Sequence, residues 1–264
     1  RVGEKAAVQY ANEEARNYYQ HAIEMLEGLE PNNAHQNWRL KALSSLGKLC
    51  FTEGKVPEAE NYLREAIAVG RTIQMNLQEL LLLYHWLGET LWWQSRYEEH
   101  LRVGEDGLAL LGDDKESLAA ALMNQIVATS MWMLGSPEQG MEITQRTAQF
   151  IQHIPYVEEL CVVYESVIQA HIIRKDVTGA YKWLQVFEEN VTARHDLLGL
   201  VVAHRYMGDV LQRTGDLASA IQRCSKRLDL CVRMGDSKYE SRALSELAQL
   251  SLQSGEIQKA ADYI

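Results

Sequence analysis

Apolar and polar positions along this chain follow the period of a helix, and no stretch keeps the two-residue alternation of a β-strand. The pattern also recurs on a longer scale. LGKLCFTEGKVPEAENYLREA (46–66) and MGDVLQRTGDLASAIQRCSKR (207–227) share a small residue, a glycine seven positions on and an alanine five beyond that. Anchoring on the first small residue gives Gly3, Gly47, Gly88, Ala128, Ile168, Gly208 and Ala248, spaced 44, 41, 40, 40, 40 and 40. Seven anchors at nearly constant spacing mark a repeat array, whose units bury their apolar faces only against their neighbours.

Seven residues past the anchors stand Gly54, Ser95, Gly135, Lys175, Gly215 and Gly255. Glycine there suits a helix end that turns left-handed. Twelve residues past the anchors a small residue usually returns, at Ala15, Ala59, Gly140, Ala180, Ala220 and Ala260. Small residues at both positions let two antiparallel helices approach closely, so each repeat reads as helix A, turn, helix B. Ser136-Pro137-Glu138-Gln139 carries the signature of a helix-B start, with serine as N-cap, proline at the first helical position and glutamine closing a capping box. The expected hairpins lie at about 1–28, 36–73, 76–111, 114–152, 156–192, 196–234 and 237–264, within one domain spanning 1–264. EPNNAHQ (30–36) is rich in turn formers and reads as a lengthened loop that accounts for the spacing of 44.

Small residues at offsets 0, 12 and 19, with large ones at −1, +3 and +16, resemble the tetratricopeptide repeat. Leu46-Gly47, Cys50, Ala59, Leu63 and Ala66 carry the hallmarks in the second repeat, and Gly3, Ala15, Tyr19 and Ala22 in the first. The resemblance covers essentially the whole chain. It implies an all-α, right-handed superhelical solenoid of about seven antiparallel hairpins, the first and last incomplete. The unit is about 40 residues instead of the usual 34 or so, so its helices are about a turn longer. That longer form is similar to kinesin light chains and bacterial regulator arrays. GEKAAVQYANEEARNYYQHAIEMLEGLEP (3–31) further resembles the start of the repeat region in bacterial signalling ATPases of the STAND class. In such proteins the array follows an ATPase module, with a nucleotide cyclase, kinase or transcription-factor domain elsewhere. The chain opens at Arg1 and stops at Ile264 in mid-pattern, which reads as a fragment of a larger protein.

Two repeats depart from the pattern. In the fifth, Ile168 replaces the small anchor and Phe187 the small residue at offset 19, which calls for a wider hairpin with Ala180 compensating. In the third, helix B carries His100, Gly104 and Gly107 where Ala, a large residue and Ala are expected. A glycine inside a helix costs about 1 kcal/mol relative to alanine, so the missing volume should be used. Trp93 beside it is the expected user, with Trp92 the more exposed of the two rings.

Composition narrows the function. A formal charge of −10 disfavours wholesale binding to nucleic acid or to an anionic membrane. Arg205, Arg213, Arg223, Lys226 and Arg227 form a modest basic cluster that reads as a solvated helix face. Cys50, Cys161, Cys224 and Cys231 show neither CxxC spacing nor partnered histidines, so they signal no metal or redox pair and fit a cytoplasmic setting. The apolar runs at 80–84 and 197–203 are too short to cross a bilayer.

No phosphate loop, HExxH or GxSxG motif appears, and no cofactor or metal is expected. His171 and His204 occupy apolar helix-A faces and read as hydrogen-bonded structural residues. The chain reads as non-enzymatic. The family register instead directs helix-A positions −6, −3, +1, +4 and +5 into a concave groove. At +4 this places Phe51, Trp92, Trp132, Ile172, Gln212 and Leu252, and at +5 Thr52, Trp93, Met133, Ile173, Arg213 and Gln253. The flanking polar positions are Ser44, Lys48, His85, Glu89, Gln125 and Thr129, followed by Glu165, Gln169, Arg205 and Asp209. An open aromatic lane of this kind binds a peptide, a helix or a small ligand. Equally, the longer helices can close the lane against neighbouring repeats. The expected function is a protein- or ligand-binding regulatory domain of a multidomain bacterial signalling protein. Its partner is a protein, a peptide or another domain of the same chain, with a small-molecule effector as an alternative. The rival readings are a small-molecule sensor of a STAND-type transcription activator and a passive oligomerisation scaffold.

Overall fold

The computed structural model describes residues 12–30 and 32–263. Gly3 and the first helix A fall outside them. Every regular element among the described residues is helical. The chain divides into two compact units, Arg1–Ile154 and Pro155–Ile264.

Unit 1 begins with α1 (Asn12–Glu27), a helix B whose Ala15 and Tyr19 pack on Ala42, Leu46 and Leu49 of the next helix A. Three hairpins follow. They are α2 (Asn33–Thr52) with α3 (Val56–Thr72), α4 (Leu77–Trp93) with α5 (Tyr97–Leu111), and α6 (Leu118–Met133) with α7 (Pro137–Ile151). Unit 2 enters through a 3₁₀ turn (Glu158–Leu160). Its pairs are α8 (Cys161–Ile173) with α9 (Val177–Arg194), α10 (Leu197–Arg213) with α11 (Leu217–Met234), and α12 (Ser237–Gln253) with the short α13 (Ile257–Asp262).

All six turn positions have positive φ, from Gly54 (80°) to Gly255 (81°). Ser95 (58°) and Lys175 (59°) adopt the same left-handed conformation without glycine, against a cost of roughly 1–2 kcal/mol each. The anchors behave as the register requires. Gly47 lies against Leu63 and the Ala59 carbonyl, while Ala128, Ile168 and Ala248 are buried. In the fifth repeat Phe187 is fully buried and stacks on Tyr164 at 5.3 Å and 17°.

Two local expectations are corrected. EPNNAHQ is not a loop through residue 36, because Asn32 caps α2 by accepting from the His35 backbone N–H at 2.9 Å. The extra residues of the 44-residue spacing therefore extend a 20-residue helix. Ser136 does stand at the N-cap of α7 with Pro137 at the start, but its side chain makes no capping bond.

Unit 2 starts four consecutive helices in one way. Asp176, Asp196, Asp216 and Asp236 are N-caps spaced 20 residues apart, and each carboxylate accepts a backbone N–H from the first turn. Asp196 and Asp236, which open helices of type A, are buried and hold further partners. The Tyr156 hydroxyl donates to Asp196 at 2.6 Å, and Lys238 Nζ to Asp236 at 3.1 Å. Asp176 and Asp216, which open helices of type B, are exposed.

Candidate binding face

In unit 1 the helix-A face is mostly closed. Phe51 is buried and meets Trp86 and Trp93 of the next helix A edge-on, at 5.8 Å and 6.3 Å. Trp92 turns the other way, against Tyr97 (5.2 Å) and His100 (5.6 Å) of its own helix B. Both Trp92 and Trp93 are half-buried. The assignments made from the register are therefore reversed: Trp93 faces the preceding hairpin, and Trp92 covers the start of α5. Trp132 repeats the Trp92 arrangement one repeat later, packed over Gly140. The missing volume at Gly104 is taken by Ile126 and Val127 of α6, to which a Cβ would come within 2.8 Å, and Gly107 faces Met123. The glycines bring in the following hairpin instead of housing an indole of their own.

The polar rows of unit 1 sink with this packing. His85, Glu89, Gln125 and Thr129 are buried, with His85 2% exposed. Thr129 returns its hydroxyl to the Gln125 carbonyl at 2.9 Å. His85 Nδ1 and Gln125 Oε1 find no hydrogen-bond partner. Burial, with Lys48 and His100 adding repulsion, pushes the His85 imidazole down to about 3. Burial alone takes His100 to about 4, with its Nδ1 2.7 Å from Ser130 Oγ. Only Ser44 and Lys48 keep an opening. They line a cleft of about 230 Å³ between α2 and α4, where Lys48 Nζ sits 5.0 Å above the Trp86 ring.

Unit 2 holds its polar rows half-open. Glu165 accepts from Arg205 at 2.8 Å and from the Tyr206 hydroxyl at 2.9 Å, a tie between α8 and α10. Burial and the Glu165 carboxylate hold the Tyr206 phenol well above its ordinary range. Asp209 accepts from Arg213 at 3.3 Å, Gln169 is half-buried, and Gln212 donates to Gln253 at 2.8 Å. Ile172 is buried, whereas Ile173 (56%) and Leu252 (55%) are exposed.

Four of the five residues of the basic cluster are paired in place. Arg205 pairs with Glu165, Arg213 with Asp209, Arg223 with Glu188 and Arg227 with Glu246. His171 bonds Asp176 at 2.9 Å and His204 meets Arg223 at 3.1 Å, as expected of structural histidines. All four cysteines are free and buried. Burial raises the Cys224 thiol to about 12, far from a reactive thiolate. Among the described residues no His/Cys/Asp/Glu group could hold a metal ion, and no helix is long and apolar enough to cross a membrane.

Sequence reasoning missed Trp86 and misread Arg227 as part of a solvated face. Trp86 sits two residues before the anchor, outside the groove register. Arg227 occupies offset 19, where a small residue is expected, and is fully buried.

This geometry is that of tetratricopeptide-type hairpins, and solved structures share it. The chain is similar to a Rap protein complexed with competence and sporulation factor (TM-score 0.63, 10% identity, 99% of this chain and 93% of that one). It is also similar to aspartyl phosphate phosphatase F from Bacillus subtilis (TM-score 0.66, 11% identity, 99% of this chain and 66% of that one). A third similar structure is a signal transduction ATPase with numerous domains, carrying a tetratricopeptide repeat sensor, from Pyrococcus horikoshii (TM-score 0.54, 14% identity, 94% of this chain and 38% of that one). At these identities the likeness is one of fold. No family model matches the sequence, and no curated protein matches it.

Proposed function

We propose that this chain is a non-catalytic, cytoplasmic regulatory domain that binds a peptide or protein segment on its helix-A faces, as part of a larger signalling protein. The carrying observation is the half-open polar row of unit 2. There Glu165, Gln169, Arg205 and Asp209 are half-buried, and Glu165 and Gln169 share one face of α8 with the exposed Ile173. Hydrogen-bonding groups next to apolar side chains suit an extended chain, whose backbone and side chains need both. The named ligand of the Rap complex and the description of another similar structure as the quorum sensor NprR (TM-score 0.54) support a sensing role. Occupancy of such a face acts by favouring one conformation of the array over another.

Thermal shift against matched peptide and metabolite collections, with light scattering on the free chain, tests the reading. A peptide that raises Tm, and does so less in Ile173→Asp and Glu165→Gln, supports it. A metabolite that raises Tm while no peptide does would replace it with the small-molecule sensor. A stable oligomer dispersed by Ile173→Asp, with no ligand response, would replace it with the scaffold.

A further inference from the structure

The helix-A face of unit 2 engages its charges internally and leaves its amides to offer. Arg205 pairs with Glu165, Arg213 with Asp209, and Arg242 has a partner as well. Gln212 of α10 donates from Nε2 to Gln253 Oε1 of α12 at 2.8 Å, which leaves the Gln212 oxygen and the Gln253 N–H groups facing outward. An exchange of roles between the two amides gives the same pattern, so the joined pair always presents both an acceptor and a donor. Gln249 stands one helical turn before Gln253 and is exposed, with the exposed Leu252 beside it on α12. Unit 1 uses its amide differently. Gln94, which caps α4, donates to Glu60 at 2.8 Å and to the Thr90 carbonyl at 3.1 Å, and its oxygen accepts from Arg96 at 3.4 Å.

Spacing selects the occupant. Residues four apart on a helix are about 6 Å apart along its axis. An extended peptide advances about 6.6 Å over two residues, and residues two apart turn their N–H and C=O to the same edge. Gln249 and the Gln212–Gln253 pair therefore match two successive residues on one edge of an extended chain. Charge selects its character. Residues 155–264 hold 13 lysines and arginines against 15 aspartates and glutamates, so only −2 of the chain's −10 falls in unit 2. We infer that an uncharged, extended peptide segment lies along α12. Gln249 and the Gln212–Gln253 pair bind its main chain at alternate residues, and an apolar side chain rests on Leu252. This rests on the peptide-binding reading above and adds how the peptide is read, through its backbone instead of its charges.

The test is selection of a random linear peptide library on the intact chain. Enriched peptides are resynthesised with acetylated and amidated ends, then scanned by single backbone N-methylation. The expected winners carry few charges, and their affinity changes by less than about twofold between about 0.05 and 0.5 M salt. N-methylation at two residues separated by one should each weaken binding about tenfold, with the residue between them tolerant. Gln249→Ala/Gln253→Ala should weaken it as much, and because both side chains are exposed its Tm should stay at the wild-type value. A charged consensus whose affinity falls with salt, a scan without that alternation, or an unaffected glutamine variant overturns the inference. Binders lost in Ile173→Asp or Glu165→Gln but untouched by the glutamine substitutions overturn it while leaving the peptide-binding reading intact. A library that yields no binder at all overturns both.

Discussion

Units 1 and 2 are built from the same hairpin and hold their helix-A faces together by different means. Unit 1 uses volume: Gly104 and Gly107 admit Ile126, Val127 and Met123 from the next helix A, and the polar residues between are buried with them. Unit 2 has no such glycines. It keeps Leu184 and Phe187 on α9 and ties its helix-A faces through Glu165–Arg205, while away from those faces both units use ion pairs, Glu60–Arg96 in unit 1 and Glu188–Arg223 in unit 2. Close packing removes a surface from solvent, whereas ion pairs hold helices together and leave their polar groups within reach. The same repeat thus gives one unit a mostly sealed face and the other a half-open polar row.

Exchanging the two solutions is the strongest way to break this contrast. Gly104→Leu forces a side chain into space already held by Ile126 and Val127 and should cost about 3 kcal/mol. Leu184→Gly should cost at least as much through the cavity it leaves. Urea melts that show either variant near wild-type stability would remove the packing distinction. Next comes Arg227, whose Nε and Nη2 have no partner while Nη1 rests on Glu246. Glu246→Ala leaves a buried guanidinium uncompensated and should cost about 3 kcal/mol, while Arg227→Met should be nearly neutral. Equal losses in the two variants would show that the pair itself stabilises unit 2.

Acid sharpens the contrast from the other side. His85 and His100 sit at about 3 and about 4, below the ordinary value of about 6.5. The unfolded chain therefore takes up protons that the folded chain refuses. The stability they contribute is complete above about pH 6.5 and is lost as pH falls toward 4, at about 1.4 kcal/mol per pH unit for each histidine. Unit 2 has His204 shifted in the same direction by burial. His85→Leu with His100→Leu should flatten the pH dependence of the urea midpoint between pH 6.5 and 4.5. An unchanged slope would place the acid response elsewhere. The smallest effect concerns caps. Asp216→Ala should cost about 1 kcal/mol, and Lys55→Asp, at an N-cap of unit 1 that makes no side-chain capping bond, should gain less than that because it gives up the Lys55–Glu53 pair.

The repeat, its turns and its buried small residues were legible because each is a local requirement written at a fixed offset. Even Ser95 and Lys175 could be placed in the left-handed turn by position alone. The direction of Trp92 and Trp93 was not legible. Helical register says which face a residue occupies, but not which of two neighbouring helices comes close enough to claim it. The burial of His85, Glu89, Gln125 and Thr129 escaped for the same reason, since it follows from Gly104 and Gly107 drawing in a helix about twenty residues further along. The α2–α4 cleft depends on Trp86 standing where the next repeat has Ile126, a difference of one side chain that the period averages away.

The aspartates at 176, 196, 216 and 236 give unit 2 a second rhythm at half the repeat length. A chain mispaired by one helix, with every A in the place of a B, would still offer an aspartate at each helix start. What makes that slip costly is the difference in depth between the two kinds. Asp196 and Asp236 lie buried, and Tyr156 and Lys238 satisfy them there. In the shifted pairing, Asp176 and Asp216 would enter those buried sites without such partners, and the satisfied pair would be turned out into water. Tyr156 and Lys238 therefore act as keys to the folding register, telling odd helices from even ones in a stretch where the caps alone cannot.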